Sequence, residues 1–190
     1  MAANHWYSCD PLCLLVSTGI SKHQSADKDD VYRNVGQTRN FTGKVVLVTG
    51  STSGIGEGIV KLFSHFGAHV VITGRNATEL KRVTTETQAL SPLKLQPLAV
   101  LADVTKSNDL SGLLNETIKQ FGKLDVLVNN AGAGTYTSAR APDFMKVFDR
   151  AILLNLRSYA ELSHLAIPYL DATNGTIISI SSISSMVPVN

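Results

Sequence analysis

The segment from Lys44 to Gly67 constrains the fold more than any other. It opens with Lys44-Val45-Val46-Leu47-Val48-Thr49, a short, β-branched, unbroken apolar run. Such a run suits a strand buried on both faces, as in a parallel sheet, rather than a strand with one wet face. It leads into Gly50-Ser51-Thr52-Ser53-Gly54-Ile55-Gly56, three glycines within seven positions. Ile55, Ile59, Val60, Leu62, Phe63 and Phe66 then recur at helical spacing, and Gly67 closes the helix. A buried strand, a glycine-rich turn and an amphipathic helix in direct succession form the start of a βαβ unit.

The same alternation repeats downstream. His69-Val70-Val71-Ile72-Thr73 predicts a second strand, and Ala77 to about Ala89 a polar helix. An apolar strand lies within Leu93 to Ala102, and Lys106 to Phe121 reads as a helix ended by Gly122. Leu124-Asp125-Val126-Leu127-Val128 is a fourth strand. Pro142 to about Asp171 reads as helical with a break near Pro168, and Thr176-Ile177-Ile178-Ser179-Ile180 is a fifth strand. Strands alternating with helices, joined by right-handed crossovers, give an α/β fold: a doubly wound, mostly parallel sheet in three αβα layers. Ligands of such sheets bind beyond the carboxyl ends of the strands.

Composition fits one domain. The chain has 190 residues, 44% of them apolar and 17% charged, enough to build a buried core. Residues 1–40 show no lasting period and are expected to be a poorly ordered extension, with the nucleotide-binding domain at 41–190. A net charge of +2 gives no reason to expect a nucleic-acid partner. Cys9 and Cys13 are the only cysteines, too few for a disulfide scaffold and without His at metal-ligand spacing. The apolar run Leu12-Cys13-Leu14-Leu15-Val16 is too short for a membrane span and has no basic region before it, so a cytoplasmic location is expected.

The turn has a direct chemical use. Gly50 allows the sharp bend, Gly54 lets the backbone approach a diphosphate, and Gly56 lets the helix lie against the strand. The helix start then offers free N–H groups and the positive end of its dipole to phosphate oxygens. No Lys-Ser/Thr pair follows the last glycine, which excludes a P-loop.

The pattern Thr49-Gly50-x-x-x-Gly54-Ile55-Gly56 resembles the short-chain dehydrogenase/reductase family. Three later segments carry the same resemblance in the same order: Asp103-Val104 after the third strand, Asn129-Asn130-Ala131-Gly132 after the fourth, and Ile178-Ser179-Ile180-Ser181-Ser182 along the fifth. The resemblance implies a Rossmann fold and a nicotinamide nucleotide held by Gly50, Ser51, Thr52, Ser53, Gly54, Ile55, Gly56, Asp103, Val104, Asn130, Ala131 and Gly132. Gly74-Arg75-Asn76 ends the second strand, where a carboxylate would favour NAD. With Arg75 there instead, and Asn76 beside it, NADP is expected over NAD, because a guanidinium pairs with a ribose 2′-phosphate.

The resemblance further implies hydride transfer to or from a small carbonyl or alcohol substrate. Ser182 would orient the substrate oxygen and Asn155 would hold a water in a proton relay. The proton donor would be a Tyr four residues before a Lys, and none of the five tyrosines has Lys at that position. Only eight residues follow Ser182, and none is Tyr. We therefore expect an incomplete chain lacking its C-terminal strands, inactive by itself, whose full-length form is a homo-oligomer. A non-catalytic NADP(H)-binding protein is the alternative. A fifth strand without its outer neighbour would be an exposed apolar edge, so the isolated chain should aggregate. A cooperative, monomeric thermal unfolding transition would contradict that expectation.

Overall fold

Alternate residues of the first strand feed two different cores. In the computed structural model, which describes residues 39–134 and 137–182, β1 (Val45–Val48) is buried along its whole length. Val45 and Leu47 pack with Leu110, Leu113, Leu127, Leu162 and Ala166 on one side. Val46 and Val48 pack with Val60, Phe63, Ile72, Val83 and Val128 on the other. Because side chains on a strand alternate sides, an unbroken apolar run can only be satisfied by helices on both faces. The helices are α1 (Gly54–His65) and α2 (Ala77–Leu90) on one face, and α3 (Ser107–Phe121) with the last helix (Ser158–Asp171) on the other.

The remaining strands are β2 (His69–Gly74), β3 (Leu98–Leu101), β4 (Val126–Asn129) and β5 (Thr176–Ser179). All pair in parallel, in the order β3-β2-β1-β4-β5. This is the doubly wound α/β sheet expected from the sequence. The chain reverses direction across the sheet between β1 and β4, and that reversal opens a crevice at their carboxyl ends. The two outer strands are only partly covered, and Ile177 on β5 stays 39% exposed.

The last helical region departs from expectation. It comprises α4 (Phe144–Ile152), a π-helical turn at Leu153–Arg157, and α5 (Ser158–Asp171). The irregularity lies at the π turn, and α5 runs through Pro168 without a break. Pro168 removes the N–H that would reach the carbonyl of His164. Both residues are exposed, where solvent can satisfy a carbonyl that lacks its donor. None of the residues of α4 is buried, and Met145, Phe148, Ile152 and Leu156 present an apolar stripe to solvent. No helix among the described residues is long and apolar enough to cross a membrane. The expected extension, with Cys9 and Cys13, lies outside the described residues except for its last two positions.

Ionic contacts tie elements together at two places. At the amino end of the sheet, Asp125 accepts from the Lys44 ammonium at 2.7 Å and the Val45 N–H at 2.9 Å, and pairs with Lys123 at 3.0 Å. Burial pushes its carboxyl pKa up, but these contacts bring it below the ordinary value. Across α1 and α2, Arg82 binds Glu57 at 2.9 Å, Glu79 at 2.8 Å and Glu86 at 3.1 Å, and Lys61 bridges Glu57 and Glu86. The Arg82 guanidinium, opposed by partial burial and helped by Lys61, holds Glu57 at about 2.

The ordinary Glu value is 4.5, so the stabilisation from Glu57 is complete above that pH and is lost as pH falls toward about 2. We expect the urea midpoint of the wild-type chain to fall through this window, and to fall less steeply in Glu57→Gln. Parallel curves for the two proteins would show that Glu57 contributes nothing to the acid transition.

Candidate nucleotide-binding site

Two hydrogen-bonding side chains lock the crevice open at a fixed width. Thr49 Oγ1 accepts the N–H groups of Asn130 at 2.9 Å and Ala131 at 3.0 Å. In return, Asn130 Nδ2 donates to the carbonyls of Thr49 at 2.8 Å and Gly50 at 3.1 Å. The loops after β1 and β4 are therefore stitched to each other. Gly50, at φ +61°, comes so close that an added Cβ would lie 2.8 Å from Ala131 Cα. A Cβ on Gly56 would overlap the Gly50 carbonyl oxygen and Asn130 Nδ2, so the start of α1 can sit against the turn only as glycine.

Beyond this lock lies a cleft of about 870 Å³. Of the residues expected to hold a nucleotide, Gly50, Thr52, Ser53, Ile55, Arg75, Asp103, Val104, Asn130, Ala131 and Gly132 line it. Asn155 and Ser182 line it as well. Four expected residues fall outside the lining, and their contacts give the reason. Ser51 is fully buried, with Oγ donating to the Val48 carbonyl at 2.8 Å and accepting the Thr73 N–H at 2.9 Å, so it braces the turn against β2. Asn76 caps α2, accepting the N–H groups of Thr78 and Glu79. Gly54, at φ +56°, and Gly56 shape the backbone.

The cleft has two chemically different ends. At the β2 and β3 end stand Arg75 and Asp103. Burial raises the Asp103 pKa, but hydrogen bonds from the Thr105 hydroxyl and N–H, together with the charges of Arg75 and Lys106, bring it below the ordinary value. Arg75 makes no hydrogen bond or ion pair among the described residues. At the β4 and β5 end, Asn155 sits on the π turn and holds Ala133 at both backbone atoms: Oδ1 accepts its N–H at 3.0 Å and Nδ2 donates to its carbonyl at 3.1 Å. One helical turn later Tyr159 lines the same wall, its hydroxyl donating to the Ile180 carbonyl at 3.4 Å. Burial raises its phenol pKa, so it is a neutral donor at physiological pH.

Thr49 and Tyr159 are the residues that sequence reasoning missed. Thr49 stood in the motif, but its partners lie about 80 residues away. Tyr159 has Ser163, not Lys, four positions on, and nothing local marks it. Between α1 and the cleft, no side chain caps the first turn of α1, whereas α2 is capped. The fit to a dinucleotide is therefore good: a glycine backbone at the helix start, a free guanidinium and a carboxylate at one end, and polar amide and hydroxyl groups at the other.

Residues 44–190 match the family described as short chain dehydrogenase. The chain belongs to that family. L-fucose dehydrogenase of Bos taurus is 37% identical over 143 residues, covering 75% of this chain and 50% of that protein. 11-beta-hydroxysteroid dehydrogenase A of Sesamum indicum is 32% identical over 151 residues, covering 80% and 43%. Among solved structures, a 7 alpha-hydroxysteroid dehydrogenase complexed with NADH and 7-oxo glycochenodeoxycholic acid superposes with TM-score 0.73 at 35% identity, covering 79% of this chain and 57% of that one. Glucose dehydrogenase of Caenorhabditis elegans in its apo form gives TM-score 0.67 at 39% identity, covering 76% and 56%. The chain thus spans about half the length of the curated family members it matches.

The lock predicts a specific loss. Thr49→Val keeps the shape but leaves the N–H groups of Asn130 and Ala131 without an acceptor, and an unsatisfied buried donor costs about 1–3 kcal/mol. We expect urea unfolding to show a destabilisation of roughly 2–3 kcal/mol. A variant as stable as wild type would mean that water replaces the threonine.

Proposed function

We propose that this chain is the nucleotide-binding part of an NADP-dependent oxidoreductase that moves a hydride between the nicotinamide and a small carbonyl or alcohol. The observation that carries the proposal is the cleft itself, which brings the glycine turn, Arg75, Asp103, Asn155 and Ser182 to one wall-to-wall site from five separate stretches of sequence. Membership in a family of dehydrogenases supports the reaction class.

In this reading the diphosphate lies on the first turn of α1, where free N–H groups and the helix dipole favour negative charge. Asp103 and Val104 border the adenosine, and Arg75 pairs with its 2′-phosphate. The bound nicotinamide supplies or accepts the hydride. Ser182 donates to the substrate oxygen, and Asn155, fixed on Ala133, holds a water in the proton relay. The acid–base step falls to a Tyr activated by a nearby Lys, and the 190 residues contain no such pair. General acid–base groups contribute roughly 10²–10⁴-fold, so binding and turnover should separate in this chain.

A second reading, NAD in place of NADP, is favoured by the neighbour complexed with NADH. One experiment distinguishes the two. NADPH and NADH are titrated against wild type and Arg75→Ala, with quenching or enhancement of nicotinamide fluorescence as readout. We expect preference for NADPH in the wild type and loss of about tenfold or more of that preference in the variant. An unchanged ratio refutes the role of Arg75, and no response to either nucleotide refutes the nucleotide site. Bound nucleotide without turnover is the expected outcome for these 190 residues, which hold no Tyr with Lys four positions on.

A further inference from the structure

Glu57 is misplaced for a site that holds a diphosphate. It lies in the first turn of α1, one residue past Gly56 and on the helix end that the proposed nucleotide would occupy. A free carboxylate there would repel phosphate oxygens and cancel part of the helix dipole's attraction. The structure removes that charge from play. Glu57 receives both terminal nitrogens of the Arg82 guanidinium, at 3.2 and 2.9 Å, and the Lys61 ammonium. Arg82 reaches further, with Nη2 coming to 3.5 Å from the carbonyl of Thr52, inside the glycine-rich turn. Thr52 in turn packs against Gly74, where an added Cβ would collide with its side chain. The guanidinium is thus positioned between the acid that would oppose the ligand and the turn that would receive it. Among the described residues the cluster sets three carboxylates, Glu57, Glu79 and Glu86, against two cations, Lys61 and Arg82, so loss of either cation leaves an excess of negative charge beside the turn.

We propose that Arg82 is a positioning residue for nucleotide binding, neutralising Glu57 at the start of α1 so that the helix end stays attractive to the diphosphate. This inference rests on the nucleotide-site reading above. It differs from the role of Arg75, which bears on the 2′-phosphate alone. Arg82 acts on a part common to both nucleotides, so its removal should weaken both equally.

The test uses the full chain with NADPH and NADH as probes, and compares Arg82→Gln, Glu57→Gln, the double variant and Glu86→Gln. Removing Arg82 is expected to weaken both nucleotides by about three- to tenfold, with their ratio unchanged. Adding Glu57→Gln to that background should restore most of the affinity, because the unopposed carboxylate is gone. Glu57→Gln alone should bind both nucleotides as tightly as wild type or more tightly. Glu86→Gln breaks contacts to the same Arg82 and Lys61 without touching the turn, so it should lower the thermal midpoint and leave affinity within about twofold. If Arg82→Gln does not fold, the single Glu57 variant still decides, since a merely structural ion pair predicts weaker binding there. The proposal is overturned if Arg82→Gln binds normally, if the double variant is not rescued, or if Glu57→Gln binds more weakly than wild type. A wild-type chain that binds neither nucleotide overturns the nucleotide-site reading itself, and this inference with it.

Discussion

The hydrogen bonds between Thr49 and Asn130 fix the geometry on which the rest of the site depends. Parallel strands that leave the sheet in opposite directions must separate at their carboxyl ends, and the loops that follow have no ladder to hold them. Thr49 Oγ1 and the Asn130 carboxamide supply four bonds across that gap. They also draw Gly50 against Ala131 and the start of α1 against Gly50, contacts in which a single Cβ would not fit. The opposite end of the same two strands is held by charge, with Asp125 joining Lys44 and Val45 to the start of β4. Neutral groups, a buried Thr49 and a half-buried Asn130, set the mouth of the cleft, and a charged clasp closes the other end of the strand pair.

Charge in this domain is arranged by distance from the cleft. Among the described residues Arg75 has no hydrogen-bonding partner where a ligand phosphate is proposed, whereas Arg82, one turn and a half along α2, is saturated by three glutamates. The difference follows from helix geometry. Positions 79, 82 and 86 share one face of α2, and that face meets Glu57 and Lys61 on α1. Arg75 precedes the helix and escapes the network. Two arginines seven residues apart thus have opposite electrostatic roles, one available and one committed.

Much of the fold was legible because its signals are local. Five apolar runs of strand length, the first four each followed by a turn and a helical period, leave little choice but a parallel sheet with helices on both faces. Gly122, at φ +72°, ends α3 where a glycine stop was expected. The expected break at Pro168 was wrong because the effect of a proline depends on where its orphaned carbonyl points. Here His164 and Pro168 both lie on the exposed side of the helix, which the local sequence does not record. The π turn was invisible for a related reason. Asn155 lies within the π turn and is bonded to Ala133, 22 residues earlier, and no periodicity within the helix encodes that contact.

The sequence by itself determined the alternation of elements, the two-sided burial of β1 and the glycine turn, since each depends on neighbours within a few residues. It also supplied the family, because the motifs fall at successive strand ends. Tertiary structure alone decided which motif residues reach the cleft and which are consumed by the scaffold. Ser51 and Asn76 lie within the expected segments, yet their oxygens are taken by Thr73 and by the first turn of α2. Tyr159 and Thr49 became part of the site only when β4 and β5 were laid beside β1. A hydrogen-bonding group is free for a ligand only if folding leaves it without a partner, and partners far along the chain are chosen by packing.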